Sequence, residues 1–272
     1  MAYELQSRST WKWGNMTFRD VTYGPDEGKS LWQTCPLALL NDPSVGFVFF
    51  DDFYVFDATN NPHWVIAEDA GAGGTDAVQD TKNGWYRHYC DGDDNDGATI
   101  ATAFENFGLT AGKGLWFEAR VKLTESATNK ANFAIGLSED VTVDVMQDNA
   151  AGPIASNDHI MWFKEDSNMN LSFETSLAAA QTTRANVLAH VTAHVYRLGF
   201  YCKPASATTF TVYPYYYDET AAPAGGAVLS TALACTLTLT GWGPTQAFFA
   251  VKAGSDAEEY IEIDYMKIVM AR

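Results

Sequence analysis

A chain of 272 residues with 47% hydrophobic and 14% aromatic content carries enough apolar material for one large folded domain or two small ones. Its 17 basic and 34 acidic residues give a formal charge of −17, which repels phosphate backbones and anionic lipid and argues against nucleic acid or a membrane as partner. No apolar run approaches the roughly 18 residues of a membrane span, and the opening MAYELQSRSTWKWGNMTF has no apolar core behind a basic start, so no secretory signal is expected there.

Residues 1–46 stand apart from the rest of the chain. Trp11, Trp13, Phe18, Tyr23 and Trp32 are scattered among polar residues, Gly and Pro with neither a 2.0 nor a 3.6 period. This predicts an extended N-terminal arm whose aromatics must bury against its own domain or a neighbour, making these five the candidate partner-binding residues. From Phe47 onward the pattern changes to short runs of period 2 separated by Gly, Asp, Asn and Ser clusters, which predicts one all-β domain over 47–272, a two-sheet antiparallel sandwich.

The clearest run is LWFEARVKL (115–123), where Leu115, Phe117, Ala119, Val121 and Leu123 face one way and Trp116, Glu118, Arg120 and Lys122 the other. Further strands are expected at 132–137, 159–164, 169–175, 196–202, 209–217, 234–240, 246–253 and 259–269, with Phe117, Val121, Phe133, Ile135, Ile261 and Ile263 in the core. The alanine-rich stretch 176–198 breaks the pattern and predicts either a helix over 177–188 or a loop with a helical turn. Cys35, Cys90, Cys202 and Cys235 stand singly, without the short pair spacings of zinc or redox sites, and read as reduced, structural thiols.

Four stretches could carry chemistry. In CDGDDNDGA (90–98), Asp91, Asp93 and Asn95 have the spacing of the first ligands of a calcium loop, but Asp96 stands where the sharp turn needs Gly and Thr102 where a bidentate Glu is required. The stretch reads either as a solvated turn or as a weak calcium site, the only candidate cofactor. His190 and His194 have metalloprotease spacing, yet Val191 replaces the catalytic Glu, so no zinc site is expected. PYYYDE (214–219) offers Tyr215 and Tyr216, with Trp242, as a sugar-stacking platform, or as an interface or sheet face. In EYIEIDYMKIV (259–269), alternation puts Ile261, Ile263 and Tyr265 on one face and Glu262, Asp264 and Met266 on the other. Two carboxylates side by side could serve a retaining glycosidase, which needs a nucleophile and an acid/base about 5 to 5.5 Å apart. No nucleophile elbow, phosphate loop or dinucleotide fingerprint occurs.

FFDDFYVFD, GLWFEARVKL with NFAIGLSED, and YIEIDYMKIV together resemble the concanavalin A-like lectin/glucanase jelly roll, in the divergent form met in tailed-phage virion proteins, over residues 47–272. The glucanases of that family carry E-x-D-x-x-E on a bulged strand. Here the run is Glu262-Ile-Asp264-Tyr-Met-Lys267, with a cation where the acid/base belongs, so no catalytic residues and no enzyme activity are expected. The family's metal-and-sugar loop has no matching segment. The resemblance implies a non-enzymatic virion structural protein, assembled in the host cytoplasm. Its expected role is that of a capsid decoration or cement protein, binding the major capsid protein and neighbouring copies of itself as a trimer or dimer. The alternative is a glycan-binding module of a phage tail or surface protein and, after that, a glycoside hydrolase.

Overall fold

The computed structural model describes residues 31–57, 63–69, 76–81, 84–221 and 228–272, together with the backbone of 9–12 and 15–18. The last two segments pair as a small hairpin, β1 (Ser9–Lys12) with β2 (Asn15–Phe18). Among the described residues sixteen further strands follow: β3 (Gly46–Asp51), β4 (Trp64–Glu68), β5 (Ala77–Val78), β6 (Tyr86–Tyr89), β7 (Gly97–Thr102), β8 (Leu115–Thr124), β9 (Ala131–Ser138), β10 (His159–Lys164), β11 (Asn170–Leu177), β12 (Ala180–Ala189), β13 (Val195–Pro204), β14 (Thr209–Asp218), β15 (Val228–Leu229), β16 (Cys235–Thr238), β17 (Gln246–Ala253) and β18 (Tyr260–Ala271). They form a seven-stranded sheet in the order β12-β11-β10-β9-β17-β7-β4, and a nine-stranded sheet in the order β15-β14-β13-β8-β18-β6-β5 with β16 beside β14 and β3 beside β18.

Every pairing is antiparallel, and the inward faces of the two sheets enclose the main core. All six core positions expected from the alternation lie in it, each at most 1% exposed. Strand β8 shows the cause: its odd residues fill the core and its even residues face outward, as a pleated strand with one apolar face must. Phe117 stacks on Phe200 at 4.9 Å between centroids, and the Trp162 indole N–H reaches across the sandwich to the Gly199 carbonyl at 2.8 Å. A Cβ on Gly199 would lie 2.2 Å from the Phe117 carbonyl oxygen, so the close backbone approach there requires glycine.

Both outer faces are partly roofed by connecting chain. Residues 139–158 lay Val145 and Met146 over Met161, Phe163, Phe248 and Ala250 of the seven-stranded sheet. On the nine-stranded sheet, a 3₁₀ turn (Leu31–Thr34) and a short helix α1 (Leu37–Asn41) set Leu31, Cys35 and Leu39 against Trp116, Tyr215, Leu229 and Val269. Thr34 Oγ1 accepts the Trp116 indole N–H at 2.9 Å. The segment 31–41, part of the expected extended arm, is therefore docked on its own sandwich.

The alanine-rich stretch is neither helix nor loop but the hairpin β11–β12. Ala178 and Ala179 make its turn at φ 49° and 67°, and on β12 Gln181 Nε2 donates to Glu174 at 2.8 Å while the Thr183 hydroxyl donates to the same carboxylate. Pairing with buried β11 outweighs the local preference of the alanines. All four cysteines are buried and no disulfide joins them.

Candidate functional site

The last strand lies in the middle of the nine-stranded sheet, between β8 on one side and β6 and β3 on the other. Its register against β8 shifts between Ile263 and Tyr265, which makes Asp264 the extra residue of a β-bulge. The bulge inverts the alternation expected from sequence. Ile261 and Ile263 face the core, but beyond Asp264 it is Met266 and Ile268 that do so, each 0% exposed, while Tyr265 joins the outer face.

On that outer face each acid of the strand meets a cation of its own sheet. Glu262 accepts Arg87 Nη2 at 2.6 Å and also pairs with Lys122. Asp264 accepts Arg120 Nη1 at 2.7 Å, and the same guanidinium binds Glu219 at 2.8 Å, which Arg197 Nε meets at 2.9 Å. Glu118, 1% exposed, takes the Tyr265 hydroxyl at 2.6 Å and the Trp32 indole N–H at 3.0 Å. Lys267, at the position where the glucanase motif has its second Glu, sits 4.4 Å from the centre of the Trp32 ring as a cation–π pair. Burial and then the charge of Glu118 push the Tyr265 phenol up, and burial and then Arg87 push the Lys122 ammonium down. Glycoside hydrolysis needs one carboxyl to donate a proton and another to attack. Here Glu262 is ion-paired with Arg87 and Lys122, and Asp264 with Arg120.

A second set of charges lies where the β8–β9 loop meets the start of β18. Lys164, 0% exposed, donates to the Ala131 carbonyl at 3.0 Å and pairs with Glu125 at 2.5 Å. Burial disfavours the Glu125 carboxylate, but His190 and Lys164 outweigh it and hold the carboxyl down to about 2. Glu259, 0% exposed, accepts the N–H groups of Ser126 at 2.7 Å and Ala127 at 3.4 Å, yet burial pushes its carboxyl up to about 7.

The other candidate residues are dispersed over the molecule. In the turn between β6 and β7, carboxylate oxygens of Asp91, Asp93 and Asp96 lie within 4.8 Å of one another. Burial, then the charges of Asp69, Asp93 and Asp91, push the Asp96 carboxyl up. Asp96, which the loop spacing left out, thus stands with Asp91 and Asp93, while Asn95 takes a left-handed φ of 72° and donates its backbone N–H to the Ala253 carbonyl at 3.0 Å. Tyr215 and Tyr216 point to opposite faces of β14: Tyr215 is buried under the 31–41 segment, and Tyr216 meets Trp162 edge-on at 5.6 Å. Trp242 is half-buried against the main core, and the three do not share one exposed surface.

His190 faces Glu125 at 3.3 Å and His194 faces Asp218 at 2.9 Å, so the two imidazoles serve different carboxylates. Of the five arm aromatics, Trp32 packs on its own sheet, against Glu118 and Lys267. Trp11 and Phe18 lie on the β1–β2 hairpin, of which only the backbone is described, and Trp13 and Tyr23 fall outside the described residues. The Arg120–Glu219–Arg197 group escapes sequence reading because its members come from β8, β13 and the end of β14, joined only by strand order.

No protein-family profile and no curated protein sequence matches the chain. Solved structures do match in shape. A protein of unknown function from Shewanella oneidensis MR-1 superposes with a TM-score of 0.52 at 16% identity, covering 89% of this chain and 95% of the other. Peanut lectin gives 0.51 at 9% identity, covering 83% and 97%. The carbohydrate recognition domain of Emp47p gives 0.51 at 9%, covering 84% and 98%. The order of the strands, the two-sheet core and these superpositions together give the chain the concanavalin A-like jelly-roll fold of the lectins and glucanases.

Proposed function

We propose that the chain is a non-enzymatic structural protein of a tailed-phage virion, a capsid decoration or cement protein that binds the major capsid protein and further copies of itself. The observation that carries the non-catalytic part is the pairing of both outward acids of the last strand: Glu262 with Arg87 and Lys122, Asp264 with Arg120. A sheet face whose charges cancel in pairs suits a rigid wall better than a proton-transfer site. The virion setting rests on the resemblance of the FFDDFYVFD, GLWFEARVKL and YIEIDYMKIV runs and on the tryptophan-rich N-terminal stretch. A cation at Asp91, Asp93 and Asp96 would act in this reading as a brace for the β6–β7 turn.

The test has two arms. Incubation with β-glucan, agar, carrageenan and chitin is expected to release no reducing ends, and turnover lost in Glu262→Gln or Asp264→Asn would replace this reading with an enzyme. Added to undecorated phage heads, the protein is expected to co-sediment with them. Failure to co-sediment, with a signal on a glycan array, would move the assignment to a glycan-binding module.

A further inference from the structure

At one side of the sandwich, β4 of the seven-stranded sheet lies across the core from β5 and β6 of the other. Trp64 and Ile66 of β4 pack into the main core, so Glu68, two residues on, shares their inward face. Tyr86 and His88 of β6 likewise point inward, His88 with 0% exposure. An imidazole turned into a core is costly unless something engages it.

Part of the engagement comes from Asp76, just before β5. Its Oδ2 lies 2.7 Å from His88 Nδ1 and accepts the Tyr86 hydroxyl at 2.8 Å, while its Oδ1 accepts the Tyr89 N–H at 3.1 Å. The other ring nitrogen of His88, Nε2, is buried and meets no hydrogen-bond partner among the described residues. One ligand atom each from Glu68, Asp76 and His88 falls within a 4.8 Å cluster. Exposure is graded across it: His88 is buried, Asp76 is intermediate and Glu68 is exposed, which leaves a way in from solvent.

We propose that Glu68, Asp76 and His88 form a binding site for one divalent transition-metal cation, for which Zn²⁺ is the fitting probe. An imidazole nitrogen with carboxylate oxygens is a mixed donor set that suits a borderline cation, whereas Ca²⁺ and Mg²⁺ favour oxygen throughout. The Tyr86 hydroxyl and the Tyr89 N–H already orient Asp76, as the outer hydrogen bonds of metal ligands do. Metal held here would join β4 of one sheet to β5 and β6 of the other.

The test is calorimetric titration of ZnCl₂ into the chelator-treated full-length protein, with thermal unfolding in parallel. One equivalent is expected to bind and to raise the unfolding temperature, and CaCl₂ is expected not to displace it. Glu68→Gln, at the exposed rim where the fold does not depend on it, should weaken binding at least about tenfold. His88→Gln should abolish it, and Asp93→Asn in the separate acidic turn should leave it unchanged. No heat with ZnCl₂, an unchanged titration in Glu68→Gln, or loss of binding in Asp93→Asn would each overturn the proposal.

Discussion

Replacing Glu259 with Gln should flatten the dependence of stability on pH between mild acid and neutrality. The folded protein holds this carboxyl at about 7 against an ordinary 4.5, because burial disfavours the charge and Glu125 lies close by, while Ser126 N–H, Ala127 N–H and Lys164 offset only part of that. A carboxyl whose pKa rises on folding binds its proton more tightly in the native state. Its stabilising effect is complete below pH 4.5 and is lost as the pH climbs through about 7. Each pH unit in that window is worth at most about 1.4 kcal/mol, so the whole effect approaches about 3 kcal/mol.

Gln keeps a carbonyl acceptor for only one of the two N–H groups, which costs about 1 to 3 kcal/mol at every pH but adds no slope. Urea denaturation of wild type and Glu259→Gln at pH 5, 6, 7 and 8 separates the two effects. The wild type should lose stability relative to the variant by roughly 2.5 kcal/mol across the series. Parallel curves would show that Glu259 is ionised throughout, and the reasoning from its burial would fail.

Trp32→Ala removes a half-buried indole, its hydrogen bond to Glu118 and its contact with Lys267; a loss of about 2 to 3 kcal/mol in urea denaturation is expected, and an unchanged midpoint would mean that the 31–41 segment is not held on the sheet. The turn of the β11–β12 hairpin places two alanines in left-handed conformation, so the double variant Ala178→Asn with Ala179→Gly should stabilise the protein by roughly 1 to 2 kcal/mol in thermal unfolding. No gain there would exclude the left-handed turn. Burial pushes the Cys90 thiol up to about 12 and Cys202 well above its ordinary range, so Ellman's reagent should label no thiol in the native protein and all four once it is unfolded. Rapid native labelling would contradict the buried placement.

The sandwich is legible in the sequence wherever a strand is buried on one face only. Strand β8 shows its two faces by simple alternation, and Phe117 and Val121 follow from it. The pattern misleads where a second constraint intervenes. Strand β12 is an exposed sheet edge, so no apolar period marks it and its alanines suggest helix. In β18 the bulge at Asp264 shifts the phase, and Tyr265 and Met266 exchange the faces that alternation gives them. Irregular spacing around Trp32 correctly marks non-strand chain, yet it carries no information about the sheet on which that chain lies. The charged lattice is invisible for a related reason: Arg87 and Glu262 lie 175 residues apart and meet only because β6 and β18 pair.

The central place of β18 also bears on how the protein is made. Strands β3, β6 and β8 are all synthesised by residue 124, but none of the three pairs with another; each meets β18 instead. Until residues 260–271 leave the ribosome, the nine-stranded sheet has an open slot at its middle, lined by the unpaired backbone of β8 and the apolar side chains of β3. Such a slot will accept any extended segment within reach, so nascent chains should depend on chaperones or on rapid completion more than a hairpin-built sandwich would. Chains halted before residue 260 should be cleared by proteolysis instead of accumulating as a truncated fold.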